Sequence, residues 1–368
     1  MKFSCAKTLL SEAVTTVSRV IASKANIPAE EGILFNVFDD GNIRLAGVGQ
    51  EIGLECFISA DVQSTGDFIV NAKKFGDFLR NLRDDDMVLE TDGDILEISC
   101  GVVAVKLPVM KAELFPDLPL MEKKRQFNMN PEVFLDMVKK TVFAAAGPEG
   151  KEIQQGVLFE IENGLLSMVA TDTFRLALRQ ETVEGVEENC SFIVPKKAME
   201  VAQAVIAPEG DNVNIGIGER HVSFEFGRKR VVSRLIKGEF LKYKTAIPSS
   251  FKTTVIVNRE QIRKSVGLAS ILVSEKMRYP IRFSIDADTL VISFRASEGS
   301  VVDEIKIQKE GESLEIGFNN RYLESIFSAV ETENIKMSFI SPLSPMAVED
   351  ENGKFYCLLS AMRLRSET

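Results

Sequence analysis

The sequence contains little of the chemistry on which most enzymes depend. Its 368 residues include a single histidine, His221, and no tryptophan. One histidine leaves few ways to build a histidine-ligated metal site or a histidine-based acid–base pair. The chain also lacks a Walker loop, a Gly-x-Ser-x-Gly motif and a complete Gly-x-Gly-x-x-Gly fingerprint. We therefore expect a protein without catalytic residues, without a metal ion and without a cofactor.

Clustered cysteines and long apolar runs are also missing. The five cysteines lie far apart, without the Cys-x-x-Cys spacing of a zinc or redox site, which indicates reduced thiols in the cytosol. No apolar run approaches the roughly 18 residues that cross a membrane, and the N-terminal MKFSCAKTLL lacks the apolar stretch of a secretory signal. We expect a cytoplasmic protein. The three acids at 84–86 follow a helical pattern and are interpreted as a solvated turn rather than a metal site.

What the sequence does contain is a threefold internal repeat with an interval of 124 residues. Two landmarks keep this interval, one at Asn71, Pro195 and Asn319 and the other at Phe35, Phe159 and Phe283. The interval is far longer than the roughly 20–50 residues of solenoid and propeller repeats, so each copy is a whole domain. We expect three domains, at residues 1–120, 127–248 and 250–368.

Each copy shows the same order of patterns: a helix, strands, a second helix and more strands. Apolar residues at three- and four-residue spacing predict the helices, and apolar alternation interrupted by hairpin residues predicts the strands. The fold class is therefore α+β, with three tandem copies of one domain. The six predicted helices lie at 7–24, 71–83, 131–146, 195–206, 259–273 and 319–330.

The predicted helices are more basic than the rest of the chain. They hold fifteen lysines and arginines against seven acids, although the whole chain has a net charge of −10. For a single helix, a solvated basic face is the simpler interpretation. If the repeat turned all six helices to one side, they would form a positive surface that holds a phosphate backbone without reading its sequence.

The segment VATDTFRLAL at 169–178 resembles the middle-domain signature of bacterial sliding clamps, the beta subunit of DNA polymerase III. The N-terminal MKF, FPDL at 115–118, FNNRYL at 318–323 and MRL at 362–364 occur in the order of that family. The resemblance covers essentially the whole chain. It implies a head-to-tail homodimer that forms a six-domain ring, with helices inside and sheets outside. Such a ring encircles duplex DNA and confers processivity on a polymerase without any catalysis of its own.

The resemblance also implies where DNA and the second subunit bind. Lys24 matches a family position that touches duplex DNA, whereas the other candidates depend on helix placement alone: Arg80, Arg83, Lys139, Lys196 and Lys197. For each of these side chains, simple solvation is an equal alternative. Ile271 and Leu272 match an apolar pair at the dimer interface, with Lys73 and Lys74 on the first domain. The acidic stretch expected opposite them is thin, at Glu298, Asp303 and Glu304.

A pocket for partner proteins is implied between the middle and last domains. In the family, the clamp loader, the replicative polymerase and repair proteins place a short, extended, hydrophobic peptide there. The apolar walls would bury the anchors of the peptide, while Arg175, Arg363 and Asn319 would meet its polar groups. By motif, the pocket consists of Thr171, Thr173, Phe174, Arg175, Leu176, Leu241, Ala246, Met277, Asn319, Tyr322, Leu343, Pro345, Leu358, Ser360, Met362 and Arg363. From burial propensity alone, Leu176, Leu358 and Met362 would be core residues.

Two departures from the family pattern fall on this pocket. FLKY at 240–243 stands where FPDY is usual, and SAMRL at 360–364 replaces MPMRL and is followed by the short tail RSET. Both indicate an altered peptide preference. A clamp used mainly in repair remains an alternative within the same class. An enzyme or ligand binder built on triplicated domains is the alternative from another class, and the missing histidine, metal and nucleotide motifs argue against it.

Overall fold

The computed structural model describes residues 1–83, 86–118, 124–186, 188–273, 279–297 and 299–364. Several residues discussed above lie outside these ranges, namely Asp84, Asp85, Met277, Glu298 and the tail at 365–368. In the described ranges the chain forms six α-helices: α1 (Lys7–Val17), α2 (Ala72–Asn81), α3 (Pro131–Lys139), α4 (Lys196–Val205), α5 (Arg259–Ile271) and α6 (Asn320–Ala329).

The strands are more numerous than the helices, as the α+β expectation requires. Those of the first half are β1 (Lys2–Ala6), β2 (Gly32–Val37), β3 (Asn42–Val48), β4 (Ile52–Ser59), β5 (Asp61–Ser64), β6 (Gly66–Asn71), β7 (Asp86–Asp92), β8 (Ile95–Cys100), β9 (Val103–Met110), β10 (Arg125–Met129), β11 (Gly156–Glu162), β12 (Leu165–Thr171) and β13 (Arg175–Thr182). Those of the second half are β14 (Cys190–Pro195), β15 (Val213–Ile217), β16 (His221–Phe226), β17 (Lys229–Arg234), β18 (Thr253–Asn258), β19 (Ile281–Asp286), β20 (Thr289–Ala296), β21 (Gly299–Lys306), β22 (Gln308–Gly311), β23 (Leu314–Phe318), β24 (Asn334–Phe339), β25 (Met346–Asp350) and β26 (Phe355–Leu359).

The helix starts agree with the sequence better than the helix ends do. The side chains of Asn71, Asn258 and Asn319 each accept a hydrogen bond from a backbone N–H in the first turn of α2, α5 and α6, as N-cap residues do. The first and third predicted helices are too long, because α1 ends at Val17 and α3 at Lys139.

With these ends, the positive excess of the helices falls by half. Four of the counted cations, Arg19, Lys24, Arg83 and Lys140, lie beyond the helix ends. Eleven lysines and arginines then stand against seven acids within α1–α6. The predicted basic character of the helices survives only as a weak excess.

The first compact unit comprises residues 1–135, 184–186 and 197–235. Its strands form one continuous sheet in the order β10-β15-β16-β17-β4-β3-β2-β6-β9-β8-β7-β1-β5. Helix α1 packs on β3 and β4 and against α2. The approach is close at Gly47, where an added Cβ would lie 2.6 Å from the carbonyl oxygen of Val17. A side chain at this position would push the helix away from the sheet.

The second compact unit comprises residues 136–183, 187–196 and 236–368. Its larger sheet has the order β14-β11-β12-β13-β26-β25-β24-β18-β22, and its smaller sheet the order β21-β20-β19-β23. Helices α5 and α6 pack against each other, and α5 also lies on β20 and β21. The strands of the middle copy are thus shared between the two units, since β10 and β15–β17 belong to the first and β11–β14 to the second.

The repeated phenylalanines form the same core contact in all three copies. Phe35 stacks on Phe68 at 4.8 Å between ring centroids, and Phe159 stacks on Phe192 at 5.1 Å. Phe283 meets Phe318 edge to face at 5.4 Å. Phe35, Phe159 and Phe283 are fully buried, so they serve core packing.

Two strand junctions join successive copies in the same register. In the first unit β4 pairs with β17, and Leu54 lies opposite Val231. In the second unit β13 pairs with β26, and Ala177 lies opposite Cys357. The strand pairings can be followed from Phe35 and Phe159 to the junction strand of each copy. Leu54 and Ala177 then occupy equivalent positions in their copies, and so do their partners Val231 and Cys357. Each copy therefore continues the sheet of the next by one repeated antiparallel contact.

Candidate functional site

A tight turn between β12 and β13 begins the candidate site. The Oδ1 atom of Asp172 accepts hydrogen bonds from the backbone N–H groups of Phe174 and Arg175, each at 3.0 Å. The hydroxyl of Thr171 donates to the carbonyl oxygen of Arg175 at 2.8 Å. Thr173, between them, has a φ of +77°, a left-handed conformation that is strained for a β-branched residue. Such strain is concentrated at functional sites.

The turn presents Phe174 to solvent with 57% of its surface exposed. Its carbonyl oxygen accepts a hydrogen bond from the backbone N–H of Ser360 at 2.8 Å, which brings the last copy beside the turn. Its ring stacks on Tyr322 of α6 with a centroid distance of 6.0 Å. The exposed ring is therefore held from two sides.

Arg175 links three elements of the second unit. Its Nη1 donates to the Oγ of Ser325 at 2.5 Å, its Nη2 to the carbonyl oxygen of Phe143 at 2.6 Å, and its Nε to Asp172 at 3.0 Å. The guanidinium also lies over the rings of Tyr322 and Phe143, at 4.6 Å and 5.3 Å from their centroids. These bonds occupy the guanidinium, so a peptide that contacts Arg175 must share or replace one of them.

The floor of the site is a buried cluster. Leu176 and Leu358 lie directly opposite each other in the β13–β26 ladder and are only 4% and 7% exposed. They pack with Tyr243, Val169 and other apolar residues. The expectation that Leu176 and Leu358 belong to the core is correct, whereas Met362 is half-buried.

The segment that carries Leu241 and Ala246 is attached to this cluster by Tyr243, with Phe240 and Ile247 packed beside it. Tyr243 is 3% exposed, and its hydroxyl donates to the Oε2 of Glu160 at 2.6 Å. Burial first, and then the hydrogen bond to Glu160, raise the pKa of Tyr243 to about 12. Leu241 and Ala246 themselves are exposed, so they form an open wall beside a fixed anchor.

The remaining predicted pocket residues lie in the last copy. Met362 donates its backbone N–H to the carbonyl oxygen of Gly317 at 2.7 Å, which places the C-terminal segment beside the start of α6. The Oδ1 of Asn319 caps α6 through the N–H of Arg321, and Arg363 is exposed. Leu343 is 66% exposed and Pro345 is exposed in the turn before β25.

Sequence reasoning missed the residues that support this site. Phe143, Ser325 and Glu160 hold Arg175 and Tyr243 through contacts with sequence separations of 32 to 150 residues. Ser325 could have been suspected, because it follows Tyr322 by three positions and therefore lies on the same face of α6. No local pattern indicates the other two.

The predicted DNA-facing residues differ in their surroundings. Arg80 pairs with Asp77, and Lys139 pairs with Glu331. Lys196 is half-buried and donates to the carbonyl oxygen of Ala145 at 3.3 Å, so it is not the open cation that helix placement suggested. In the described part of the chain, three others are exposed and have no ion pair, namely Lys24, Arg83 and Lys197.

The predicted dimer residues lie at exposed positions. Ile271 ends α5 with 78% of its surface exposed, and Leu272 is half-buried. Lys73 and Lys74 are exposed in the first turn of α2. Of the acids expected opposite them, Asp303 accepts a hydrogen bond from the hydroxyl of Ser265, and Glu304 is exposed on β21. Glu298 lies outside the described residues.

Other chemically reactive groups are dispersed. Among the described residues, no group of three or more His, Cys, Asp or Glu side chains is placed to hold a metal ion. Burial raises the pKa of Cys5 to about 12 and that of Cys56 to about 11, which keeps these thiols protonated and unreactive. Burial, followed by the charges of Arg234 and Arg220, lowers the pKa of His221. In the same residues, no helix has the length and apolar character to cross a bilayer.

Comparison with known proteins gives a consistent result along the whole chain. The family models of the DNA polymerase III beta subunit match the N-terminal domain at residues 1–119, the central domain at 128–242 and the C-terminal domain at 244–361. The beta sliding clamp of Bacillus subtilis is 27% identical over 365 residues, which are 96% of each chain. That of Haemophilus influenzae is 27% identical over 370 residues, 99% of this chain and 100% of the relative.

Solved structures agree with these relatives. The crystal structure of the DNA polymerase III beta subunit from Thermotoga maritima has a TM-score of 0.91 at 30% identity, covering 99% of this chain and all of that one. The sliding clamp of Bacillus subtilis has a TM-score of 0.95 at 27% identity, with the same coverage. The chain therefore belongs to the DNA polymerase III beta subunit family, and it is a DNA sliding clamp of the replication machinery rather than a catalytic subunit.

Proposed function

We propose that two copies of this chain form a closed head-to-tail ring around duplex DNA in the cytoplasm. In this proposal, the ring tethers the clamp loader, the replicative polymerase and repair proteins through short hydrophobic peptides. The observation that carries the ring is a pair of open strand edges that match the two closed junctions. One edge is the outer side of β21, and the other is that of residues 103–108 in β9.

Each open edge is the counterpart, in its own copy, of a strand that forms one of the two closed junctions. Among the described strands β21 pairs only with β20, and it is the third copy's counterpart of β4 and β13. β9 pairs with β8 along residues 103–108 and is the first copy's counterpart of β17 and β26. If the register of these junctions were repeated between two chains, Val301 would lie opposite Val105 of the second copy. An open edge of this kind is a template for strand pairing.

Exposed apolar side chains support pairing at these edges. Val302 of β21 is 72% exposed, and Leu268 and Ile271 of α5 are 51% and 78% exposed. On the other edge, Val103 is 41% exposed. Burying such residues against each other removes apolar surface from water. Since the contact is heterologous, two chains give a closed ring only if the rotation per chain closes it. Three domains in each of two chains would give six domains around the ring.

DNA would be held by topology together with weak phosphate contacts. The exposed cations Lys24, Arg83 and Lys197 have no counter-ion among the described residues, so they can meet phosphates without first breaking an ion pair. Contacts of this kind do not depend on base sequence and weaken with salt. They are suited to a protein that must slide.

The peptide site would use the exposed apolar wall of the second unit. Phe174, Leu241 and Leu343 are 57%, 55% and 66% exposed. Large apolar side chains with a rigid support are the usual anchors of such sites. Among these three, Phe174 has the support described above, because its ring stacks on Tyr322 and its carbonyl bonds to Ser360.

Light scattering on the purified chain tests the dimer. We expect the mass of a dimer for the parent chain and of a monomer for Val302→Glu, because a charge would be buried at the paired edge. Leu165→Glu is the matched control, since Leu165 is 41% exposed on β12 of the same unit. A dimeric Val302→Glu variant would contradict the proposed edge.

The topological function is tested on circular DNA. The chain is loaded onto a nicked circle with a clamp loader and ATP, and the circle is then cut. We expect retention on the circle and loss from the linear form. Equal retention on both would exclude encirclement.

A further inference from the structure

The segment that carries Leu241 is fastened to β11 by polar bonds as well as by packing. The hydroxyl of Tyr243 donates to the Oε2 of Glu160 at 2.6 Å, and the Nζ of Lys244 lies 2.9 Å from the same oxygen. Lys244 also donates to Glu162 at 2.7 Å. Because Glu160 and Glu162 lie two positions apart on β11, their side chains share one face of the sheet. We call this set of four residues the β11 contact.

The bond between Tyr243 and Glu160 is the stronger part of the β11 contact. Tyr243 is 3% exposed and the side chain of Glu160 is 21% exposed, so water has little access to this bond. Lys244 and Glu162 are 54% and 52% exposed, and exposed ion pairs contribute little. Hydrogen bonds to a charged group contribute more than those between neutral groups. Removing the tyrosine hydroxyl should therefore loosen the segment most.

Tyr243 also fixes the backbone of Leu241. Its backbone N–H donates to the carbonyl oxygen of Leu241 at 2.7 Å. Phe240 and Ile247 pack on the same buried cluster, on either side of this bond along the chain. Leu241 itself is 55% exposed, so its own burial contributes little to its position. The place of its side chain depends on the anchored neighbours.

The first unit contains the same segment with a different side chain at the anchor. Phe115 and Leu118 pack there on a buried cluster, as Phe240 and Tyr243 do in the second unit. The two clusters correspond, because each contains the leucine that precedes the repeated phenylalanine of its copy. Leu118 therefore takes the place of Tyr243, and a leucine has no hydroxyl to donate.

The acceptor and the exposed residue differ as well. Asn36 follows the repeated phenylalanine of the first copy, as Glu160 does in the middle copy, so an amide takes the place of the carboxylate. Its Oδ1 accepts a hydrogen bond from Arg44 at 3.0 Å. Pro116 stands where the second unit has Leu241, and the proline ring restricts its own φ. The β11 contact thus accompanies an exposed leucine that lacks this restriction.

We propose that Glu160 is a positioning residue of the peptide site. Through Tyr243 it holds Leu241 where this side chain receives an apolar anchor of the partner peptide, and Lys244 supports the bond from the solvent side. This role rests on the peptide binding proposed above. When the β11 contact is broken, the segment samples other positions, and only the fraction of chains with Leu241 in place binds with the original affinity.

Calorimetric titration of the full chain with a polymerase tail peptide tests this role. Tyr243→Phe removes only the hydroxyl, and we expect the affinity to fall about three- to tenfold. Tyr356→Phe is the matched control, because Tyr356 packs on the same cluster and its buried hydroxyl has no hydrogen bond to any described residue. We expect no change in affinity there. Equal affinities of the parent and Tyr243→Phe would overturn the proposal.

A Leu241→Ala background separates positioning from a general loss of structure. If the hydroxyl acts through Leu241, Tyr243→Phe should cause no further loss of affinity once the leucine side chain is absent. Glu160→Gln should retain part of the affinity that Glu160→Ala loses, since the amide oxygen can still accept from the tyrosine. An equal loss with and without the leucine side chain would show a structural role only and would overturn positioning.

The methyl resonances of Leu241 distinguish failure of this proposal from failure of the peptide site. They are assigned by their absence in Leu241→Ala and are recorded by NMR without peptide. We expect Tyr243→Phe to shift or broaden them and Tyr356→Phe to leave them unchanged. If they do not respond to Tyr243→Phe in a chain that binds the peptide, Glu160 does not position Leu241. If they respond but the parent binds no tail peptide, the proposed peptide site itself is wrong.

Discussion

The first-to-middle junction in the first unit and the middle-to-last junction in the second have the same strands in the same register, yet only the second carries a candidate peptide site. Arg175 occupies the ladder position that Ile52 has in the first unit, since Arg175 lies opposite Leu359 and Ile52 opposite Ser233. Ile52 is a buried apolar residue, whereas Arg175 fastens the turn to α6. At this position the second unit has a charged side chain that bonds to α6, where the first unit has an apolar one.

The two junctions also differ in their buried charges. In the first, Glu55 is held by Arg44 at 2.5 Å and by Arg230 at 3.3 Å. In the second, Arg179 joins Asp136 and Glu181, and the network continues through Lys140 and on to the last copy. Burial alone would raise the pKa of Glu181, but hydrogen bonds from Lys354 and Arg179 lower it. The second junction thus depends more on ionic contacts.

The largest expected effect comes from breaking that network. Arg179→Ala removes the buried guanidinium that Asp136 and Glu181 share and leaves them only Lys140 and Lys354, so we expect a loss of about 3 kcal/mol in the free energy of unfolding, at the lower end of the cost of breaking a buried ion pair. Glu55→Ala is the matched change in the first unit, and we expect a smaller loss, because Arg44 and Arg230 are 24% and 32% exposed and can be hydrated. Urea unfolding with a probe in each unit measures both. Equal losses would mean that the two junctions do not differ in this respect.

Replacing Arg175 tests the anchor of the turn. Arg175→Met keeps the length of the side chain but removes all its donors, and we expect a loss of about 2–3 kcal/mol because the bonds come from a charged group. The partner peptide should also lose affinity. Ile52→Met is the control at the same ladder position, with an expected cost below about 1.5 kcal/mol. A cost for Arg175→Met no greater than for Ile52→Met would remove Arg175 from its role as an anchor.

The repeated parts of the fold could be predicted because they are local and periodic. The roles of the asparagines at the N-caps and of the phenylalanines on the alternating apolar faces can be inferred from a few neighbouring residues. The ends of α1 and α3 could not be predicted so well. They lack the glycine that commonly follows a helix, and the residues beyond them instead form side-chain hydroxyl bonds to the last turn. Ser18 donates to the carbonyl oxygen of Val14, and Thr141 donates to that of Met137. These local bonds compete with further helical turns.

The candidate site was only partly predictable for a related reason. Its motif residues stand together in VATDTFRLAL, but the bonds of Arg175 reach Phe143 and Ser325 in other elements. Contacts at such separations leave no periodic trace in one sequence. The charge presented by the helices was also only partly predictable, because the sequence does not show which lysines and arginines are buried and paired within the protein. Lys140 is 8% exposed in its side chain and is paired within the protein.

A smaller effect is expected where the turn is strained. Thr173→Gly removes the side chain from a residue with φ of +77°, and we expect a gain of about 1 kcal/mol in stability. Asn163→Gly is the control, because Asn163 has a φ of +51° and asparagine tolerates this conformation. We expect a change within about 0.5 kcal/mol there. Thermal unfolding measures both, and a destabilised Thr173→Gly variant would show that the threonine contributes more than its strain costs.

The smallest effect on stability is expected at the residue with the clearest proposed role. Phe174 is 57% exposed, so Phe174→Ser should change the free energy of unfolding by no more than about 0.5 kcal/mol. Because its ring is rigidly supported, its loss should weaken binding of a polymerase tail peptide at least about fivefold. Leu165→Ser, at a 41% exposed position of the same sheet, should leave peptide binding unchanged. Calorimetric titration compares the three chains. Equal affinity of Phe174→Ser and the parent would mean that the second junction differs from the first without serving a partner.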